Sequence, residues 1–231
     1  MKRPKQAPFS IIIPTLWRPA TVSQLLESLQ VSEHVHEVIV IDNCQSTRPA
    51  LPEFSKVRII DKGTNLFVNP SWNLGVKLAR SESICICNDD ILFPENLLGY
   101  MRHQRLQKVI GLHPSSYSKS RDEAPEPRLE EGAHIIHNWG SMLFLRKSQY
   151  QPIPDNLKVW WGDAWLAQEM GPARCVHTAI QTEHSVSAGA SEFRSVKDAD
   201  TELWLQSLKT SPPLIRRVHR RLLQLWFKLG V

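Results

Sequence analysis

Apolar and β-branched residues gather in four short runs in the first half of the chain: Phe9 to Ile13, Val38 to Ile41, Val57 to Ile60 and Ser83 to Cys87. None shows the strict apolar–polar alternation of a strand with one wet face. Such runs fit strands covered on both faces, the usual condition of a parallel sheet. Between the first two, Val22, Leu25, Leu26 and Leu29 recur at i, i+3, i+4 and i+7, and Pro19 just ahead suits a helix start. A second helix is expected over Trp72 to Ala79, after Asn69-Pro70-Ser71, and a third from Pro94 to about Lys108. Strands alternating with helices predict an α/β fold with a mostly parallel central sheet flanked by helices.

The second half is less regular. His113 to Gly132 is polar and rich in Ser, Pro and Glu, a length and composition expected of a lid or an unstructured connection. Trp139 to Leu145 returns to strand character, and Trp160 to Met170 reads as a loop leading into a helix. Ser211-Pro212-Pro213 then separates a body, residues 1–210, from a terminal amphipathic helix, residues 211–231. In that helix Leu214, Val218, Leu222, Leu225 and Leu229 form one stripe, and Arg216, Arg217, Arg220, Arg221 and Lys228 fill most of the opposite arc. Together with Trp226 this pattern suits either an anionic membrane surface or packing on the body through the leucines.

Charge sharpens the division. The net charge is +5, and without the five basic residues of the terminal helix the chain carries 23 basic and 23 acidic residues. A neutral body argues against a nucleic-acid partner, whose binding surface would be basic. A chain of 231 residues that is 42% hydrophobic can bury a core of one large domain. No stretch approaches the roughly 18 consecutive apolar residues of a membrane span, and no signal-type apolar run follows Met1 to Ser10. The expected location is the cytoplasm, with peripheral attachment at the inner membrane face through the terminal helix. Of the four cysteines, Cys85 and Cys87 share one face of a strand and cannot pair, and the set lacks the short ligand spacing of a zinc site. Buried, reduced thiols are expected.

The candidate chemistry starts from something missing. The turn after the first run, Pro14-Thr15-Leu16-Trp17-Arg18-Pro19, has no glycine, and no GxxxxGK[ST] occurs. A nest of backbone amides for phosphates is therefore absent, and a diphosphate would need a divalent cation instead. Asn88-Asp89-Asp90 follows directly on the fourth run, at a carboxyl strand end where ligands of open α/β sheets collect. Carboxylates and phosphate oxygens are the ligands that Mn²⁺ and Mg²⁺ take. Asp42-Asn43 ends the second run in the same way, and neighbouring parallel strands end on one edge. Taken singly, each acidic pair is also what an ordinary turn or helix start would carry.

In order along the chain, these segments resemble the inverting glycosyltransferases of family 2, which have the GT-A fold. Ser10-Ile11-Ile12-Ile13-Pro14-Thr15 with Arg18-Pro19 is similar to the family's opening, and Val38 to Asn43 to its second strand with a base-binding aspartate. Asn65-Leu66-Phe67 through Asn73-Leu74-Gly75 resembles its Asn-x-Gly…Asn-x-Gly stretch, with Phe67 in place of the first glycine. Asn88-Asp89-Asp90 matches the Asp-x-Asp site with Asn88 in the first acidic place, and Gly162-Asp163-Ala164-Trp165-Leu166 matches Glu-Asp-x-x-Leu with Gly162 for the glutamate. The similarity spans roughly residues 9 to 190, with a nucleotide-binding half at about 9–110 and an acceptor half at about 111–210.

The resemblance implies roles. Pro14, Thr15, Arg18 and Asp42 would hold a nucleoside-diphosphate sugar, a UDP-sugar before others, with Asn65, Asn73, Asn88 and Asp89 beside it. Asp90 and His184 would hold Mn²⁺ or Mg²⁺. Asp163 would be the base that deprotonates a glycan or lipid-linked acceptor; its alternative is a cap on the following helix. Trp139, Trp160, Trp161 and Trp165 would lie near the acceptor, where they either face a sugar ring or pack as ordinary core. A sugar nucleotidyltransferase shares such a sheet but is expected to carry a glycine-rich turn after its first strand. Asn88, Phe67 and Gly162 motivate a third reading, a degenerate nucleotide- or membrane-binding module.

Overall fold

The computed structural model describes residues 8–118, 125–131, 139–171, 173–183 and 191–210. The four apolar runs form parallel strands β1 (Phe9–Thr15), β2 (Val35–Asp42), β3 (Val57–Asp61) and β4 (Ser83–Cys87). They lack alternation because both faces are covered. Phe9, Ile11, Ile13, Val38 and Val40 face one core cluster, and Ile12, Ile39 and Ile41 face the other. Helix α1 (Thr21–Val31) buries Val22, Leu25, Leu26 and Leu29 in the first cluster, as their spacing predicts. Helix α2 (Val68–Leu78) covers the opposite face through Trp72 and Val76, and a Cβ on its Gly75 would lie 2.3 Å from Ile12 Cγ2. That close approach requires the glycine.

Helix α2 begins four residues earlier than the sequence pattern suggests. Pro70 sits in its first turn, where a missing N–H costs no intrahelical bond. The third helix is shorter than expected. After β5 (Ile91–Leu92), α3 covers only Asn96–Met101. Its buried stripe of Leu97, Leu98 and Met101 finds only Gln104 and Arg105 in the next turn.

The second half supplies strands that its composition hides. β6 (Ile110–Leu112) and β7 (Arg128–Glu131) bracket the polar segment, so part of the expected loop is sheet. β8 (Met142–Arg146) follows a 3₁₀ turn at Trp139–Ser141, α4 spans Gly162–Glu169, and β9 (Arg174–His177), β10 (Gln181–Thr182) and α5 (Arg194–Thr210) complete the described chain. The eight-stranded sheet runs β3-β2-β1-β4-β8-β6-β9-β7, with β8 antiparallel to both neighbours and β7 antiparallel to β9. β10 pairs antiparallel with β5 in a separate two-stranded sheet. Cys85, Cys87 and Cys175 are buried free thiols, as expected, and Cys44 is half-buried and also free. Residues 211–231 and His184 lie outside the described residues.

Candidate functional site

Parallel pairing of β1 with β4, Ile12 opposite Ile86, brings the turn after β1 beside Asn88-Asp89. Thr15 fastens the two. Its hydroxyl donates to Asp89 Oδ2 at 2.5 Å and accepts the Trp17 N–H at 2.7 Å. Asn43, at the end of β2, accepts the Leu66 N–H at 2.9 Å and donates to Ser71 Oγ at 3.1 Å, tying a third wall to the same edge. Between these walls lies a solvent-open cleft of about 630 Å³. Pro14, Thr15, Arg18, Asn43, Asn65, Asn88 and Asp89 supply polar or turn groups, and Leu16, Phe67, Val159 and Phe193 an apolar wall. Arg18 is ion-paired with Glu192 and lies 5.7 Å from the Phe193 ring centroid, so the 191–193 turn closes that rim.

Burial pushes the Asp89 carboxyl up to about 7; the Thr15 hydrogen bond opposes this and the Asp90 charge adds to it. The ordinary value is 3.8. A folded pKa above the unfolded one means that the folded chain binds more protons between them. Stability carried by this group is therefore full below about pH 4 and is lost as pH rises to about 7, by at most a few kcal/mol. In chelator, the urea midpoint of the wild type relative to Asp89→Asn should fall between pH 5 and 7. A flat difference would mean that Asp89 is ionised throughout.

The residues implicated by sequence divide into two groups. Pro14, Thr15, Arg18, Asn65, Asn88 and Asp89 line the cleft together. Asp42 does not: Cys44 N–H donates to its Oδ1 at 2.9 Å and Arg48 pairs with Oδ2 at 3.2 Å, and its neighbour Asn43 is the cleft residue. Asn73 is turned to another task. Its amide bonds the Ile153 carbonyl at 2.7 Å, the Ile153 N–H at 3.0 Å and the Tyr150 hydroxyl at 2.8 Å, and so pins α2 to the 150–155 segment. Asp90 is fully buried behind Asp89, and its carbonyl accepts the Glu183 N–H at 2.9 Å.

Asp163 is the second residue of α4, partly buried, with Oδ1 accepting the Ala164 N–H at 2.8 Å. Burial raises its carboxyl, and backbone hydrogen bonds, Gly140 among them, oppose the shift. Asn88 N–H donates to Ser141 O at 2.9 Å, and Asp163 packs against the preceding Gly140, so it stands on the next stretch of the same edge. Tyr117 joins them. Its hydroxyl bonds Ser141 and feels the charges of both Asp90 and Asp163, while burial pushes its pKa up. A tyrosine inside a polar Ser-rich segment gave no sequence signal of this position.

The departures from the family pattern have local causes. A Cβ on Gly162 would lie 2.0 Å from Asn69 Oδ1, so any larger residue at the start of α4 would have to displace the buried Asn69 amide. Phe67 keeps a glycine-like backbone, φ 67° and ψ −177°, despite its ring. Trp17 (φ 58°) and Trp161 (φ 67°) are also left-handed, and of the three only Phe67 lines the cleft. Each such conformation costs about 1–3 kcal/mol that its surroundings must offset. For Trp161 the offset is visible: its indole donates to Thr201 Oγ1 at 3.1 Å and stacks on Trp204 at 6.0 Å between centroids. None of Trp139, Trp160, Trp161 and Trp165 lines the cleft.

Asp200 of α5 holds the turn before Trp161. Its carboxylate accepts the N–H groups of Lys158 (2.8 Å), Val159 (2.7 Å) and Trp160 (2.9 Å) at 1% residual exposure. Asp200→Ala should cost about 2–4 kcal/mol in urea unfolding, because three donors lose a charged acceptor together. A loss below about 1 kcal/mol would show that water replaces the carboxylate.

The sequence model of glycosyl transferase family 2 matches residues 10–159, from β1 to the turn held by Asp200. The chain belongs to this family. No curated protein matches it. Among solved structures, this family-2 chain is similar to S. aureus TarS 1–349, at 15% identity and TM-score 0.49, covering 73% of this chain and 57% of that one. It is similar to GalNAc-T7 with UDP, GalNAc and Mn²⁺, at 9% and 0.53, covering 77% and 43%. It is also similar to the inositol-1-phosphate CTP transferase from T. maritima, at 10% and 0.50, covering 85% and 97%. At such identities the likeness to GalNAc-T7 and to the CTP transferase establishes a shared GT-A type of fold. The family-2 chain spans little more than half the length of the TarS fragment. No helix among its described residues is long and apolar enough to cross a membrane.

Proposed function

We propose that this family-2 chain moves a sugar, with inversion, from a nucleoside-diphosphate donor, a UDP-sugar before others, to a glycan or lipid-linked acceptor. The observation that carries this reading is one edge holding a cleft without an amide cradle, a buried carboxylate pair and, next along, Asp163. Pro14, Thr15, Asn43 and Asn65 flank the nucleoside, with Asp42 supporting that wall through Cys44 and Arg48. Arg18 stands at the rim on the side of the diphosphate. Asp163 takes the acceptor proton; burial raises its carboxyl, which makes it a stronger base than an ordinary aspartate.

His184, which lies outside the described residues, would add a nitrogen ligand, and Asp89 and Asp90 with Asn88 beside them fit Mn²⁺ or Mg²⁺. They offer hard oxygen donors, and Asp89 is held partly protonated near neutrality, a condition that a cation relieves. When bound, the ion supplies charge neutralisation to the departing diphosphate. GalNAc-T7, which shares the fold, was solved with ligands of this kind. Residues 214–231 bring the enzyme to an anionic membrane surface, each basic residue adding about 1 kcal/mol there.

Nucleotidyl transfer is the second reading, favoured by the 97% coverage of the T. maritima CTP transferase and opposed by the glycine-free turn after β1. Incubation with a panel of nucleoside-diphosphate sugars and Mn²⁺ separates the two. Slow hydrolysis of one donor, suppressed by chelator, is expected. Pyrophosphate release from a nucleoside triphosphate and a sugar phosphate would overturn the proposal, and donor binding without any turnover would mark a binding module.

A further inference from the structure

A second group of ligating side chains stands on the same sheet edge, beyond β8. His113 follows β6, His177 ends β9 and Glu130 lies in β7, and one ligand atom from each falls within 4.8 Å of the others. The two imidazoles stack, with centroids 3.8 Å apart and planes 23° from parallel. Both Nδ1 atoms meet one hydroxyl, Ser115 Oγ, at 2.8 Å from His113 and 3.2 Å from His177. At the other end of its ring His177 Nε2 is 2.7 Å from Glu130 Oε2, so the carboxylate joins the stack on the side away from Ser115. The proposed transfer uses none of these residues.

The geometry points to a zinc-class metal site formed by His113, Glu130 and His177, separate from the carboxylate pair of the donor cleft. Two imidazole nitrogens and one carboxylate suit a borderline transition ion, whereas Mg²⁺ takes oxygen. Three protein ligands leave a fourth position for water. Ser115 is already placed as the outer shell, since a metal-bound imidazole hands its other N–H to a nearby oxygen and one hydroxyl oxygen can accept two.

Loading requires a local rearrangement. Without the ion, His113 Nδ1 takes the Ser115 N–H at 3.1 Å and Arg128 Nη2 lies 3.4 Å from His177 Nδ1. Binding a metal through Nε2 would leave Nδ1 as the N–H of each ring, so the contacts that Ser115 N–H and Arg128 make there must be given up as the stack opens. Arg128, also 3.9 Å from Glu130 Oε2, is a fixed positive charge competing for the same carboxylate. The ion would clasp β6, β9 and the edge strand β7. The inference is independent of the sugar-transfer reading.

The test is Zn²⁺ titration of the metal-stripped full chain against a chromophoric chelator, in excess Mg²⁺ so that oxygen sites are filled. One equivalent should bind, and Co²⁺ in its place should give the strong visible absorption of a four-coordinate centre. His113→Gln and Glu130→Gln should abolish competition with the chelator, and Ser115→Ala should weaken binding by about 10–100-fold. Arg128→Ala, at a side chain 65% exposed and so tolerant of change, should tighten it. Asp89→Asn should leave it unchanged. The site is refuted by failure to compete with the chelator, by zinc binding that survives both ligand substitutions, or by binding lost in Asp89→Asn. If the ligand variants do not fold, unchanged or weaker binding in Arg128→Ala refutes it alone.

Discussion

Asp163→Asn lowers kcat for sugar transfer by about 10²–10⁴-fold, the span of a lost general base, and leaves donor affinity unchanged. The expectation follows from where Asp163 sits. It is outside the residues that line the cleft and against Gly140, one stretch farther along the edge from Asn88. Asparagine preserves its volume and can still accept the Ala164 N–H, so the start of α4 survives and only the proton acceptor is removed. Because burial raises this carboxyl, wild-type kcat should climb with pH through a midpoint above the usual aspartate range, and the variant should lose that limb. Steady-state kinetics over pH with separate kcat and KM decide the matter. An intact kcat with a raised KM would assign Asp163 to donor binding.

Asp90→Ala abolishes Mn²⁺-dependent donor hydrolysis, a loss of at least about 10³-fold if the ion's charge supplies several kcal/mol to the leaving diphosphate. Asp90 is fully buried, so the fold must be monitored alongside. The informative comparison is Asp90→Asn, which keeps the shape of the side chain and removes the charge. In the wild type Mn²⁺ should raise the thermal midpoint, since a ligand that binds only the folded chain stabilises it, and in both variants this shift should vanish. Turnover that persists in either variant, or in wild type after exhaustive chelation, would remove the cation from the reaction.

The sequence was most legible where one physical rule acted alone. Strands buried on both faces cannot alternate, and β1, β2 and β4 read as continuous apolar runs for that reason. The stripe Val22, Leu25, Leu26 and Leu29 likewise has one interpretation. β7 was illegible: as an edge strand of sequence Arg-Leu-Glu-Glu it needs little apolar content, so its composition resembles a loop. α5 was missed because its interior contacts are few and dispersed, Asp200, Trp204 and Leu208 among polar neighbours.

At the site, order along the chain located the edge but did not fix side-chain direction. Asn73 matches its motif and yet points at Ile153, because an asparagine in a helix can serve whichever loop runs past it. The strand-end motif singles out Asp42, whereas it is Asn43 that faces the cleft. Tyr117 and Asp200 reach their partners across long sequence separations, which no local pattern records.

The clasp of Asp200 on the 158–160 turn also sets an order of events during synthesis. Lys158 waits for a partner 42 positions downstream, so the wall that carries Val159 stays unset until α5 has left the ribosome. A nascent chain halted before Asp200 would have its sheet edge but only part of its cleft.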